Sequence, residues 1–245
     1  MQQAAPMTIN GHAQNGNERD PRLIEGVLSN LPLFRHVARS QLATVADHSR
    51  VHRAGRCTVI CRGGEPMPGV VVLAYGSAKL TLRRREGEEK VVRFLGAGDS
   101  FGEAAALQGR PCPVDVVALT DSMVVLVPPL PLLRLLEVDP AFARNLVRAL
   151  SEKFLGLLAE LEASLQQSAL QRLASYLDSL AEANDGPDTW VVRLPASKTA
   201  VAARLGVTKE TMSRLLRELA ERGLIAVTRR EIEILDRSAL LQVAG

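Results

Sequence analysis

Apolar positions along the 245-residue chain change their period several times, and each change marks a new kind of element. Asp20-Pro21 followed by residues 22–28 predicts a short helix, with Asp20 as its cap and proline in its first turn. Ser40 to Val45 predicts another, with Ser40 as the cap. From about Val51 to Val127 the pattern turns into short β-rich runs: Gly69 to Tyr75, Ala78 to Leu82, Lys90 to Leu95, Asp115 to Leu119 and Met123 to Val127. Gly76-Ser77, Glu86-Gly87-Glu88 and Thr120-Asp121-Ser122 punctuate them. Many short strands at close, even spacing predict a sandwich or jelly-roll barrel.

A long helical stretch follows, from about Asp139 to Leu165. Val147, Leu150, Phe154, Leu157 and Leu161 recur at alternating spacings of three and four, the a/d seam of a coiled coil. The register continues onto Ser164 and Ser168, where the seam fades. Such a stripe serves either to dimerise or to pack a helix on its own barrel. Ala169 to Ala183 predicts a further helix, amphipathic through Leu170, Leu173, Leu177 and Leu180. Asn184-Asp185-Gly186-Pro187-Asp188 reads as a loop, and Trp190 to Leu194 as a strand ending at Pro195.

Two short helices then follow in quick succession. Ser197 caps the first, which runs through Leu205 until Gly206 breaks it. Thr208 caps the second, Lys209 to about Arg222, with Thr211 in place of the glutamate of a full capping box. Ala200, Val201, Ala203 (or Ala202) and Leu205 can face inward on the first helix, and Met212, Leu215, Leu216 and Leu219 on the second. Two short helices around a tight glycine turn form a helix-turn-helix. Beyond Gly223, Leu224 to Val227 and Glu231 to Leu235 alternate at period two around Thr228-Arg229-Arg230, a hairpin that reads as a wing.

Charge sharpens this picture. The net charge is only +3, but Lys198, Arg204, Lys209, Arg214 and Arg217 stand within residues 198–217 against a single acid, Glu210. That local excess suits phosphate binding. The outward residues of the second helix are Lys209, Glu210, Ser213, Arg214 and Arg217. Arg214 can pair bidentately with guanine, and Glu210 can accept from a cytosine amine. Thr208 and Lys209 start the helix, where phosphate binding is natural, and Arg217 and Lys198 are further phosphate candidates. The competing reading makes Glu210 and Arg214 a solvent-exposed i,i+4 ion pair.

Here the chain resembles the CRP/FNR superfamily of transcription regulators, from about Pro21 onward. Gly98-Asp99-Ser100-Phe101-Gly102-Glu103 is similar to that family's G-D-x-x-G-E segment, and Ser197 to Ile225 to its DNA-binding unit. Glu210-Thr211-Met212-Ser213-Arg214 matches the E-T-x-S-R pattern of the FNR-like branch. The resemblance implies that Glu210, Ser213 and Arg214 read a half-site resembling TTGAT. It implies an α+β chain with a cyclic-nucleotide-binding-like β jelly-roll barrel, a long dimerisation helix and a C-terminal winged helix-turn-helix. The expected division is a flexible tail at 1–20, an effector-sensing barrel at 21–138, the dimerisation helix at 139–166 and the DNA-binding domain at 167–245. An activator acting as a homodimer on palindromic double-stranded DNA, with RNA polymerase as a further partner, follows from the same resemblance. Arg229 to Arg237 and Leu194 to Lys198 resemble the Dnr group, with NnrR-type regulators similar in role. Those regulators sense nitric oxide through haem and switch on denitrification genes.

Departures from the family narrow the effector. Cyclic-AMP sensors carry an Arg-Ser pair after the G-E segment; here Cys112 and Pro113 take those positions, within Arg110-Pro111-Cys112-Pro113-Val114. Pro111 and Pro113 remove backbone donors, so cyclic AMP is not expected although Glu103 is retained. Gly102, Glu103 and Cys112 are the expected effector-pocket residues. No cysteine precedes Cys57, so an FNR-type iron-sulfur cluster is not expected. His48, His52, Cys57 and Cys61 form an H-x3-H-x4-C-x3-C run, with His48, His52 and Cys61 the candidates for haem iron or another metal. Residues four apart on a strand lie roughly 13 Å apart, too far to share an ion without a bend. The competing reading is a buried barrel cysteine and scattered surface histidines.

Other classes find less support. Three cysteines in all argue against a disulfide framework. Gly96, Gly98 and Gly102 mimic a dinucleotide fingerprint with the wrong spacing and in β-rich sequence. Met123 to Leu136 is too short and too proline-interrupted to span a bilayer. The polar N-terminus lacks a signal-peptide pattern, so a cytoplasmic protein is expected. Three functions compete: a ligand-gated regulator, a ligand-independent regulator whose barrel serves only dimerisation, and an enzyme using the barrel. The absence of a Ser/His/Asp grouping or paired carboxylates weighs against the enzyme.

Overall fold

The computed structural model describes residues 19–83, 89–184, 190–228 and 231–245. Residues 1–18 of the expected tail, the turn at Glu86-Gly87-Glu88, the loop residues Asp185 to Asp188 and the wing-tip pair Arg229-Arg230 lie outside them. The chain divides into two compact units, Met1–Phe154 and Leu155–Gly245.

The first unit opens with α1 (Pro21–Ser29), where the Asp20 carboxylate accepts the Leu23 amide at 3.1 Å, as its sequence predicts. Helix α2 (Arg39–His48) starts from Ala38, not from Ser40. Ser40 lies inside the first turn, and burial of Leu42, Val45 and Ala46 sets the helix in place of a side-chain cap.

Eight strands follow: β1 (Arg50–Ala54), β2 (Val59–Cys61), β3 (Val70–Tyr75), β4 (Ala78–Arg83), β5 (Glu89–Leu95), β6 (Ser100–Phe101), β7 (Asp115–Ala118) and β8 (Ser122–Val127). They form two antiparallel four-stranded sheets, ordered β1-β8-β3-β6 and β2-β7-β4-β5. The unbroken apolar run of β3 has a physical cause. β3 and β8 are the inner strands of their sheet, with α2 against β8 and α3 (Glu103–Leu107) against β3, so Val70 to Leu73 are all buried. Burying each such side chain contributes ~1.5–3 kcal/mol.

The polypeptide leaves the barrel through α4 (Pro129–Val138) and α5 (Pro140–Gln166). Its prolines hide α4 in the sequence. Pro129 and Pro131 fall in the first turn, where amides have no intrahelical acceptor to lose. Asp139 accepts the Ala141 and Phe142 amides at 2.8 and 2.9 Å, and the Phe142 ring packs 5.4 Å from that of Phe34.

In the second unit, α6 (Ala169–Ser179) begins with a Ser168–Gln171 capping box. It ends four residues before the sequence pattern predicts. Ala181–Ala183 is instead strand β9, paired with β10 (Trp190–Arg193) through Trp190–Ala183 and Val192–Ala181. The edge of a sheet needs a hydrogen-bonding partner, and this overrides the helix propensity of Ala-Glu-Ala. Helices α7 (Lys198–Leu205) and α8 (Lys209–Glu221) come next, then β11 (Ile225–Val227) and β12 (Glu231–Ile234), giving a sheet ordered β11-β12-β10-β9. A last helix, α9 (Arg237–Ala244), packs against α6. Arg237 pairs with Asp178 at 2.7 Å and stacks 3.8 Å above the Trp190 ring.

Candidate nucleic-acid interface

The helix pair is built from its caps inward. Ser197 Oγ accepts the Ala200 amide and Thr208 Oγ1 the Thr211 amide, so both predicted caps are formed. Val201, Ala202 and Leu205 on α7 pack with Met212, Leu215, Leu216 and Leu219 on α8, all buried. Ala202 takes the inward place, and Ala203 is only half-buried. Gly206 ends α7 at φ 71°, ψ 34°, the left-handed region that a Cβ opposes. Gly206→Ala is expected to lower unfolding stability by ~1–2 kcal/mol in a urea titration. An unchanged midpoint would mean that the turn does not depend on that conformation.

This packing leaves one face of α8 to solvent. Thr208, Lys209, Glu210, Ser213, Arg214 and Arg217 are all exposed, as is Lys198 at the start of α7. Glu210 and Arg214 do not form the ion pair that their spacing allows. The one i,i+4 ion pair found on α8 among the described residues joins Glu218 to Arg222. Ser213 Oγ donates to the Lys209 carbonyl at 3.0 Å. Arg204 departs from the expected basic cluster, because both its terminal nitrogens are bound by the Glu160 carboxylate. Thr211 gives no signal in the sequence beyond its place in the cap; its Oγ1 is 3.1 Å from that of Thr208, at the N-terminal end of α8. In the wing, Ile232 and Ile234 point inward while Glu231 and Glu233 face out. Lys198, Ser197, Thr228 and Glu231 line one open cleft beside it.

Helix α5 carries the expected seam. Val147, Phe154, Leu157 and Leu161 are 53–64% exposed, and Leu150 is half-buried. Leu155, Leu158 and Leu165 are exposed as well. Leu158 and Leu165 each directly follow a d position, so the stripe is wider than the a/d reading and continues beside Ser164.

In the barrel, Gly102 adopts φ 85° at the start of α3, and a Cβ there would lie 2.1 Å from Met67 Cε. Glu103 is buried, and its Oε1 accepts from Ser100 Oγ at 2.5 Å and from Lys153 Nζ at 2.6 Å. Lys153 carries no signal in the sequence, since one lysine on a long helix looks solvated. Cys112 is also buried, its Sγ 3.1 Å from the Val114 carbonyl. The hydrogen bond from the Cys61 thiol pulls Cys112 down to about 7, and the same bond, with burial, raises Cys61.

The remaining candidates are spread apart. His48 is exposed at the end of α2, its Nδ1 2.8 Å from the Thr44 carbonyl. His52 lies on β1, in the sheet opposite that of Cys61. Among the described residues, no three of His, Cys, Asp and Glu are placed to hold a metal ion, and no helix is long and apolar enough to cross a membrane.

A β-sandwich joined by a long helix to a winged helix-turn-helix is the architecture of a DNA-binding transcription regulator. Comparison with known proteins agrees. Residues 51–139 match the cyclic nucleotide-binding domain and residues 171–243 the Crp-like helix-turn-helix domain. The global nitrogen regulator of Synechococcus elongatus is 28% identical over 216 residues, 86% of this chain and 95% of that protein. The fumarate and nitrate reduction regulatory protein of Escherichia coli K12 is 27% identical over 207 residues, 84% of this chain and 82% of that protein. The structure of FixK2 from Bradyrhizobium japonicum shares the fold, with a TM-score of 0.71 at 22% identity, over 80% of this chain and 98% of that one. The chain belongs to the CRP/FNR superfamily of transcription regulators, whose members bind DNA and form dimers, and it is not an enzyme.

Proposed function

We propose that the protein is a homodimeric activator in the cytoplasm that reads an inverted pair of TTGAT-like half-sites and recruits RNA polymerase. The exposed face of α8 carries this reading: Glu210, Ser213 and Arg214 stand together, held up by a buried apolar face and without mutual ion pairing. Arg214 pairs with guanine, Glu210 accepts from cytosine, and Ser213 completes the base-reading set. Thr208, Lys209, Arg217 and Lys198 take phosphates. The exposed stripe of α5 brings two copies together so that two-fold symmetry in the protein meets two-fold symmetry in the site. The test is duplex binding at two salt concentrations. An inverted-repeat duplex should stay preferred over a scrambled one at high salt, where phosphate attraction fades. Equal loss of both would remove the sequence-reading role.

We further propose that the barrel gates this activity through a small effector. That effector is not cyclic AMP. Glu103 is already engaged by Lys153 and Ser100, and Cys112 is buried between prolines that have no amide to offer a phosphate. Calorimetric titration with cyclic AMP is expected to give no micromolar binding; a micromolar isotherm would overturn this assignment.

Nitric oxide carried by haem is the effector that the Dnr likeness implies. Haem iron needs an axial side chain in an apolar cleft. His48, His52 and Cys61 do not fit the group as a ligand set, for His48 is exposed, His52 lies on the opposite sheet from Cys61, and the Cys61 thiol faces the Met67 thioether. No step is therefore assigned to haem. The spectrum of haem-reconstituted protein tests the point: a Soret band that moves with nitric oxide would require a ligand outside this set.

A further inference from the structure

The seam of α5 and the helix-turn-helix are joined by an ion pair. Glu160 precedes Leu161 on α5, in a register that puts Phe154 and Leu161 at a, Leu157 at d and Glu160 at g. A charge at g flanks the seam of a coiled coil. The Glu160 carboxylate holds Arg204, in the last turn of α7, through both oxygens: Nη1 donates to Oε2 at 2.8 Å and Nη2 to Oε1. Such a fork fixes orientation as well as distance. The Arg204 side chain is 18% exposed, so salt screens the pair less than it would an open surface pair.

Its surroundings make this pair a joint. Two residues, Gln167 and Ser168, separate α5 from α6. Arg172 on α6 ties that link to α7, its Nη1 donating to the Gln167 carbonyl at 2.6 Å and its Nε to the Leu205 carbonyl at 3.3 Å. Helix α6 packs on both α7 and α8, with Leu173, Ala174 and Leu177 buried. Gly206 and α8 follow directly on Arg204 and Leu205, so whatever holds the end of α7 orients α8. The half of the seam from Leu157 onward and the helix-turn-helix lie in one compact unit, Leu155–Gly245.

We propose that Glu160 is a positioning residue for DNA reading, which sets the distance between the two half-sites through Arg204. It rests on the two-fold reading of DNA by α8. A two-residue link alone lets α6 to α8 turn against α5. Glu160 stands seven residues before Gln167, ~10 Å further along α5, and a second attachment at that distance removes the turn. Each added base pair carries a half-site ~3.4 Å along the duplex and about a tenth of a turn around it. Two rigidly held copies of α8 therefore fit one spacing, whereas copies that turn on the link fit several.

The test uses the full-length protein and duplexes that carry two inverted copies of the half-site the wild type selects, set apart one base pair at a time, with a single half-site alongside. Wild type should favour one spacing and lose ~100-fold two base pairs away, where geometry forbids engagement of the second half-site. Glu160→Ala keeps a good helix former and should lose ~10-fold or less over the same step, each protein measured against its own best duplex. Its base preference on the single half-site should match the wild type, which a general weakening of the fold would not allow. Arg204→Ala should behave alike, and the double variant should be no looser than either single, as expected of two residues that act through one another. Sedimentation should show Glu160→Ala to be dimeric. Wild-type spacing preference in Glu160→Ala, equal weakening on every duplex, or a monomeric variant would each overturn the positioning role. A wild type indifferent to half-site spacing would remove the two-fold reading itself.

Discussion

Replacing Leu157 and Leu161 together with aspartate is expected to yield monomers that no longer hold the operator. Both side chains are more than half exposed on α5 in a single chain, at 53% and 55%. Covering a leucine of this kind contributes up to ~1.5–3 kcal/mol, and two-fold pairing uses each of them twice. Aspartate removes that gain and places charges in the seam, where burial without a partner costs several times more than the lost packing. Operator affinity falls with the dimer, because a second half-site held on the same particle binds at high effective concentration. Sedimentation equilibrium measures the first effect and gel-shift titration the second. The double variant remaining dimeric would move the interface to another surface.

Arg214→Ala should cost ~1–3 kcal/mol per half-site and relax the preference at one base pair only. The physical basis is its exposed position at the second turn of α8, one turn beyond Glu210 and without an ion pair to it. Lys209→Ala should behave differently. It should weaken all sequences about equally and flatten log-affinity against log-salt by ~1 for each phosphate that is no longer neutralised. Removing Glu210 takes a negative charge from a phosphate-rich interface, so non-specific affinity should rise while specificity broadens. Three neighbouring residues thus give three distinguishable outcomes.

Much of the DNA-binding unit is legible in the sequence because its signals are local. Caps at Ser197 and Thr208, the glycine turn at Gly206 and the period-two wing each depend on residues a few positions apart. What stays hidden depends on distant partners. The end of α6 is set by the pairing of Ala181–Ala183 with β10, which periodicity does not record. Arg204 reads as one more cation for phosphate, yet Glu160, 44 residues away, binds it. Lys153 reaches Glu103 across 50 residues, and Met67 meets Cys61 only because the loop between them folds back on Cys112. Helix α9 is hidden for another reason: Asp236 caps it through the Ala239 amide, but its few apolar positions are too short a run to display a period.

Selection of bound duplexes from a randomised library tests most directly whether the protein reads DNA as a two-fold dimer through α8. Wild-type protein is predicted to enrich inverted TTGAT-like half-sites whose centres lie about one helical turn, ~34–36 Å, apart. Arg214→Ala is predicted to lose preference at a symmetric pair of positions and keep it elsewhere. Enriched sites without two-fold symmetry, or an Arg214→Ala profile identical to the wild type, would contradict the account.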